Sequence, residues 1–232
     1  MTEDVHFEKD MIIQDAVNLI LCDGTTLKVD DGIWVQPQAS LTVWAQSNGK
    51  NRGRLVAKGG DKKAGIGCLK SYVAGFTVIN GGDIEARGGK EAAGITGEVV
   101  TINNGKVHAQ GGWRSAGIGG SRQMDCRGDV NINGGVVEAK GGAGGSGIGG
   151  GEKGNLTATV TITGGTVNAT GYNGGAGIGG GDFGGANNGH VNITGGTVTA
   201  TSYEGGAGIG GGREGFYFEG GEGSNVTISG TA

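Results

Sequence analysis

The sequence predicts an all-β fold, a right-handed parallel β-helix (β-solenoid) of about seven or eight coils of roughly 30 residues each. The segment Ala-Gly-Ile-Gly, or a close variant, recurs along the chain, with steps of 29, 23, 30, 30 and 31 residues between its isoleucines. Short runs of alternating apolar and polar residues accompany each copy, and the spacings inside the repeat are constant. Alternation with a period of two indicates β-strands.

The constant spacings predict how the coils stack. The Ile that ends a first run, such as Ile162, always stands seven residues before the Ala of a second run, here Ala169. That Ala always stands nine residues before the Ile of the glycine segment, here Ile178. Because stacked strands about 4.8 Å apart must match in length, we expect three columns of strands. The remaining stretch varies from 7 to 19 residues, so we expect it to leave one corner as loops that touch no neighbour.

Alternation also predicts which side chains form the core. Val130 and Ile132 should point inward and Asn131 outward, since successive side chains of a strand face opposite sides. In the third run the same rule directs glycines outward, which predicts a bare face through which two rods could associate. The alternative is that glycine serves tight corners through its conformational freedom. The glycines concerned are Gly65, Gly67, Gly117, Gly119, Gly147, Gly149, Gly177, Gly179, Gly208 and Gly210.

The chain divides into a short cap and one domain. We expect residues 1–16 to cap one end of the rod and residues 17–232 to form a single β-solenoid. A bundle of polyproline-II helices is the competing fold for a chain with 58 Gly in 232 residues. Such helices have three residues per turn, which disagrees with the observed period of two.

Composition excludes several classes of protein. The net charge is −4 and no basic cluster stands out, so nucleic acid is not an expected partner. No apolar run approaches the about 20 residues of a membrane-spanning helix. The opening Met1-Thr2-Glu3-Asp4 shows no signal peptide. Cys22, Cys68 and Cys126 form no metal-binding spacing and are expected to be free thiols.

Two segments carry a resemblance to known proteins. VTITGGTVNATGYNGGAGIGGG and VNITGGTVTATSYEGGAGIGGG resemble the glycine-rich repeats of large surface proteins of Gram-positive bacteria, and the similarity extends over residues 17–230. The resemblance implies a parallel β-helix with the architecture of pectate lyases. It also implies a carbohydrate-binding or adhesive role at the cell surface or outside the cell. No catalytic motif is carried over with it.

Aromatic residues are the first candidates for ligand binding. Tyr172 and Tyr203 stand at the same position of adjacent coils, and Trp113 stands one residue later, two coils earlier. Stacked rings would offer flat apolar faces to sugar rings. The alternative is that the rings only stack on each other and cover a glycine turn.

A polar column on the second run is the second candidate. Glu85, His108 and Glu138 should point outward in successive coils, followed by Asn168 and Thr199. With Arg and Lys alongside, this is the nearest approach to an acid/base or metal cluster, and calcium is the one cofactor it leaves open. The alternative is a solvated ladder of mixed charge.

The variable loops are the third candidate, since exposed loops on a rigid scaffold often carry recognition. The last loop contains the candidate ligand-binding residues Arg213 and Tyr217. The alternative is that Phe216 and Phe218 pack down as an end cap. The loops are residues 121–129, 151–158, 181–190 and 211–225.

These features predict a non-enzymatic surface or adhesion module that binds a polysaccharide or cell-surface glycan, or serves as a spacer. One alternative is a lyase-like enzyme that acts on acidic glycans. Another is a protein that binds ice or a crystal surface, suggested by outward Thr and Asn such as Thr161, Asn192 and Thr194.

Overall fold

The computed structural model of the chain describes residues 3–68, 75–185, 189–213 and 225–229. Its 23 strands, numbered β1 to β23 in chain order, pair in parallel and form a right-handed parallel β-helix, which confirms the predicted fold class. Within these residues, no helix is long and apolar enough to cross a membrane.

Three sheets run along the rod. Sheet 1 consists of β3 (Ala16–Leu21), β6 (Ser40–Ala45), β9 (Phe76–Ile79), β11 (Val99–Ile102), β14 (Asp129–Ile132), β17 (Thr159–Ile162), β20 (His190–Ile193) and β23 (Asn225–Ile228). Sheet 2 consists of β1 (Val5–Phe7), β4 (Thr26–Val29), β7 (Arg54–Lys58), β10 (Asp83–Arg87), β12 (Lys106–Gln110), β15 (Val136–Ala143), β18 (Thr166–Tyr172) and β21 (Thr197–Ser202). Sheet 3 consists of β2 (Met11–Ile13), β5 (Ile33–Val35), β8 (Ile66–Gly67), β13 (Ile118–Gly119), β16 (Ile148–Gly149), β19 (Ile178–Gly179) and β22 (Ile209–Gly210), with Ile95 bridging β8 to β13.

The register of the sheets is the one that the spacings predict. Ile132 pairs with Ile162 in sheet 1, Ala139 with Ala169 in sheet 2, and Ile148 with Ile178 in sheet 3. These inward side chains are fully buried and form one continuous core. The stacking therefore converts a short repeat into three apolar columns that no single coil could bury alone.

The predicted N-terminal cap continues the stack. Strand β1 pairs in parallel with β4, and β2 pairs with β5, so residues 5–13 form the outermost strands of sheets 2 and 3 at this end. The segment covers the strands below it by adding part of a coil to the rod.

Within the described residues, the corner loops are not free, contrary to our expectation. The amide of Gln123 donates to the carbonyl of Glu152 (2.8 Å), and the amide of Lys153 donates to the carbonyl of Asp182 (2.7 Å). Three loops thus stack on one another just as the strands do. Their backbone groups are satisfied by the neighbouring coils, which gives each loop a defined conformation. The stacked loops are residues 121–129, 151–158 and 181–185.

The expected bare glycine face does not exist either. From Gly65 to Gly179, the third-run glycines are buried. A Cβ at Gly117 would lie 2.6 Å from the Lys140 amide nitrogen in the next coil. Gly119 has a φ of +128°, which L-residues rarely adopt. Glycine is required here by close backbone approach and by this conformation, so the expected self-association through an exposed glycine face loses its basis.

Candidate functional site

The tyrosine pair stacks as predicted. Tyr172 ends β18 and Tyr203 follows β21, and their rings lie 5.4 Å apart at the centroids with an interplanar angle of 12°. Tyr172 is half-buried, with Tyr203 on one side and Ala143, its register partner, on the other. Tyr203 is 52% exposed. Tyr203 is therefore the more accessible ring of the pair.

Trp113 lies in a separate cluster. Its ring is 44% exposed, and the guanidinium carbons of Arg114 and Arg122 lie 4.0 and 5.1 Å from the ring centroid. Guanidinium groups at these distances interact favourably with the indole π-system. The three aromatic residues therefore do not form one ladder. Tyr172 and Tyr203 stack as a pair, and Trp113, two coils before Tyr172, contacts arginines instead.

The polar column on sheet 2 has the predicted register, with Glu85 beside His108 and His108 beside Glu138. Arg54 and Arg87 contact Glu85 at 2.5 and 2.6 Å. Burial favours a higher pKa for Glu85, but the two guanidinium groups outweigh it and lower the pKa. Both oxygens of this carboxylate are therefore engaged by cations.

Glu138 is engaged in the same way. Lys140 forms an ion pair with one of its oxygens, and His108 Nδ1 lies 2.8 Å from the other. The hydrogen bond from Lys140, helped by His108, holds the pKa of Glu138 below its usual range despite partial burial. The column is an ion-paired ladder. Among the described residues, no group of three or more His, Cys, Asp or Glu side chains is arranged to hold a metal ion, and a calcium site stays a prediction.

Arg213 is partly exposed and is held by the buried Asp182. Its Nε and Nη2 atoms lie 3.1 and 3.0 Å from the two oxygens of Asp182, a bidentate pair. The Arg213 amide donates to the carbonyl of Gly174 (2.7 Å), in the turn that follows Tyr172. A Cβ at Gly174 would collide with the Asp182 carboxylate. Arg213 therefore packs against the tyrosine-bearing turns and positions them, while the other candidate of that loop, Tyr217, lies outside the described residues.

Sequence reasoning missed that Arg213 ends a column of charged residues. Arg122, Glu152, Asp182 and Arg213 each stand four residues after the third-run Ile of their coil, and this spacing was the available signal. Arg122 contacts Glu152 at 3.4 Å. Burial, with a contribution from Glu152, raises the pKa of Asp182 although Arg213 opposes the shift. The column joins the stacked loops from within, since Glu152 and Asp182 are buried.

The outward face of β18 and β21 carries no charge. Its side chains are Thr or Asn along both strands and end at the tyrosine pair. Because Thr199 lies over Asn168 and Thr201 over Thr170, the residues form two adjacent rows of hydroxyl and amide groups. We call this surface the uncharged strip. It consists of Thr166, Asn168, Thr170, Tyr172, Thr197, Thr199, Thr201 and Tyr203.

Asn and Thr side chains directly after the strands of sheet 1, next to the residues that suggested ice binding, bond to one another. Asn103 donates to the side chain of Asn80 (2.7 Å), Asn133 donates to Asn103 (2.8 Å), and Thr163 donates to Asn133 (2.9 Å). These groups form a ladder along the rod. Some of their hydrogen-bonding capacity is therefore used within the protein.

Comparison with known proteins agrees with the stacked coils. Five segments match the family model of the beta helix repeat, at residues 78–95, 100–122, 130–152, 160–182 and 191–213. Neither a curated protein nor a solved structure matches the chain. The repeat matches and the three sheets together define a parallel β-helix repeat region. The matched segments include Glu85, His108, Glu138, Trp113, both tyrosines and Arg213.

Proposed function

We propose that the chain is a non-catalytic binding module that holds a carbohydrate polymer at the tyrosine pair. The carrying observation is the exposed ring of Tyr203, stacked on Tyr172 and beside the hydroxyl and amide groups of the uncharged strip. Sugar rings have apolar C–H faces and a rim of hydroxyl groups. An aromatic face next to a row of hydrogen-bonding side chains complements both parts of such a ring.

The state of the carboxylates favours binding over catalysis. A lyase-like enzyme needs an acidic residue that is free to hold a cation or move a proton. Glu85 is paired with two arginines, and Glu138 is paired with Lys140 and His108. A substrate would have to displace these cations before either carboxylate could act, and breaking the ion pairs is unfavourable. The ion pairs therefore support a structural role for the column.

The rod architecture suits a binding module. Stacked coils hold the tyrosine pair on a scaffold whose strands and loops are both paired, so that the pair is ordered before a ligand arrives. The resemblance to glycine-rich surface proteins of Gram-positive bacteria points the same way. We therefore assign the module to an extracellular or cell-surface location, where it would contribute adhesion.

Binding to insoluble polysaccharides tests the proposal. We expect Tyr203→Ala to weaken retention by about five- to tenfold, since loss of an aromatic contact costs about 1–1.4 kcal/mol. Tyr172→Ala should have a smaller effect because Tyr172 is half-buried. Trp44→Ala is the matched control, since Trp44 is 45% exposed on sheet 1 near the other end of the rod.

Equal retention of the wild type, Tyr203→Ala and Trp44→Ala would contradict the proposal. A lyase assay on acidic glycans, read by ultraviolet absorbance of the unsaturated product, addresses catalysis separately. Turnover that depends on Glu85 or Glu138 would show that the module is an enzyme.

A further inference from the structure

The outward face of sheet 2 divides sharply in charge along the rod. From β7 to β15 every coil presents ionisable side chains, and from β18 onward the two described strands present none. The boundary falls between Glu138 and Asn168, which are register partners in adjacent coils. The tyrosine pair lies on the uncharged side. The ionisable residues are Arg54, Lys58, Asp83, Glu85, Arg87, Lys106, His108, Glu138 and Lys140.

This division identifies the class of ligand, on the premise of the proposed function. We propose that the module selects an uncharged polysaccharide and that the polymer lies along β18 and β21, across the rod. Hydroxyl and amide side chains can donate and accept hydrogen bonds, as sugar hydroxyl groups do. An acidic sugar would lose hydration of its carboxylate on the uncharged strip without gaining a cation, which is unfavourable.

The charges next to the strip agree with this class. Arg213, the cation behind the turn that follows Tyr203, is already paired with Asp182. Glu204 follows Tyr203 directly and is exposed. Its carboxylate would repel an acidic polymer at the ring face that stacks on the sugar. Neither residue thus provides a free positive charge for an acidic ligand.

The dimensions of the strip determine the direction of the polymer. Along the strands, the strip runs from Thr197 to Tyr203, a length of about 20 Å at roughly 3.3 Å per residue. Along the rod axis only two coils contribute, separated by about 4.8 Å. The coil before them presents Glu138 and Lys140, and β21 is the outermost strand of sheet 2 in the described part of the chain. A polymer along the strands therefore meets more of the uncharged strip.

Affinity measurements with two sets of soluble probes test the inference. The neutral set is β-glucan and galactomannan, and the acidic set is polygalacturonate and alginate. We expect the neutral polymers that bind to do so at least about tenfold more tightly than either acidic polymer. Thr199→Lys should weaken the neutral interaction and strengthen the acidic one. Thr161→Lys is the matched control, because Thr161 is an outward strand residue on sheet 1, and it should change neither.

The outcomes separate the two proposals. Tighter binding of an acidic polymer at a site sensitive to Tyr203→Ala would overturn the ligand class and leave the binding function standing. Absence of binding to both sets, and to the insoluble polysaccharides, would remove the binding function itself. Oligosaccharides of increasing length test the direction, since affinity should level off when they span about 20 Å. A continued increase well beyond that length would overturn the orientation.

Discussion

Replacement of Gly117 by alanine is the sharpest test of how the coils are packed. A Cβ at this position would lie 2.6 Å from the Lys140 amide nitrogen, 2.7 Å from the Gly147 oxygen and 2.8 Å from the Lys140 oxygen. All three atoms belong to the backbone of the next coil. Since Gly117 does not have a positive φ, the substitution tests close approach alone, without backbone strain.

The contacts set the size of the expected effect. Real Cβ atoms essentially never approach another heavy atom within 3.0 Å, so the neighbouring coil must retreat by several tenths of an ångström. Backbone atoms cannot rotate out of the way as a side chain can. Overpacking costs about 1–3 kcal/mol in ordinary cores, and we expect the upper end here, about 3 kcal/mol. For a chain of this size, that loss lowers the Tm by about 6–12 °C.

Thermal unfolding followed by far-ultraviolet circular dichroism measures the effect. Gly49→Ala is the matched control, because the nearest atom to its added Cβ would be Ser47 Oγ at 3.4 Å. This change should alter the free energy of unfolding by no more than about 0.5 kcal/mol. If Gly117→Ala shifted the Tm no more than Gly49→Ala, the close packing of backbone between coils would be wrong. A change of oligomeric state in Gly117→Ala, measured by sedimentation, would restore the hypothesis of an exposed glycine face.

Two further predictions concern loop conformation and acid stability. Lys153 is exposed and has a φ of +60°, so Lys153→Gly should raise the free energy of unfolding in denaturant titrations by about 0.5–1 kcal/mol. The control Lys106→Gly, within a strand, should lower the free energy of unfolding. Equal effects of the two substitutions would contradict the reasoning. The pKa of Glu138 is lowered in the fold, so its ion pairs stabilise the protein above the unfolded-state value of about 4.3, and the stabilisation is lost as pH falls through the lower folded pKa. The difference in Tm between wild type and Glu138→Gln should therefore be largest near neutral pH and vanish in acid. A constant difference would show that Glu138 acts through packing alone.

Register is the part of the fold that sequence spacing predicts well. The seven- and nine-residue intervals place Ala86 over Ala57 and Glu85 next to His108, and the structure has these pairs. Parallel strands stack in register only when successive coils have the same number of residues between their strands. Constant spacing in the sequence therefore predicts the register. The stack of Tyr172 on Tyr203 follows from the same arithmetic.

The prediction that the corner loops touch no neighbouring coil was wrong, because variation in loop length does not prevent adjacent loops from packing together. The stretches that contain Gln123 and Lys153 have equal lengths, whereas the stretches after Ile66 and Ile95 are shorter and the later ones are longer. Loops of equal length in adjacent coils stack on each other even though loop length varies along the chain. The charged column that includes Asp182 is a consequence of this stacking, and it had a regular position in the sequence that passed unnoticed.

The sequence by itself determined the coil, its three columns of inward residues and the alignment of one coil over the next, because backbone hydrogen bonding between coils requires equal intervals. Only the tertiary structure decided which glycines are covered, which carboxylates are paired and how far Tyr203 is exposed. A glycine has no side chain whose polarity reveals its surroundings, and an ion pair such as Asp182 with Arg213 depends on side-chain directions that spacing does not specify. The proposed binding function depends on these features, because a ligand would contact exposed side chains and not the buried columns of the repeat.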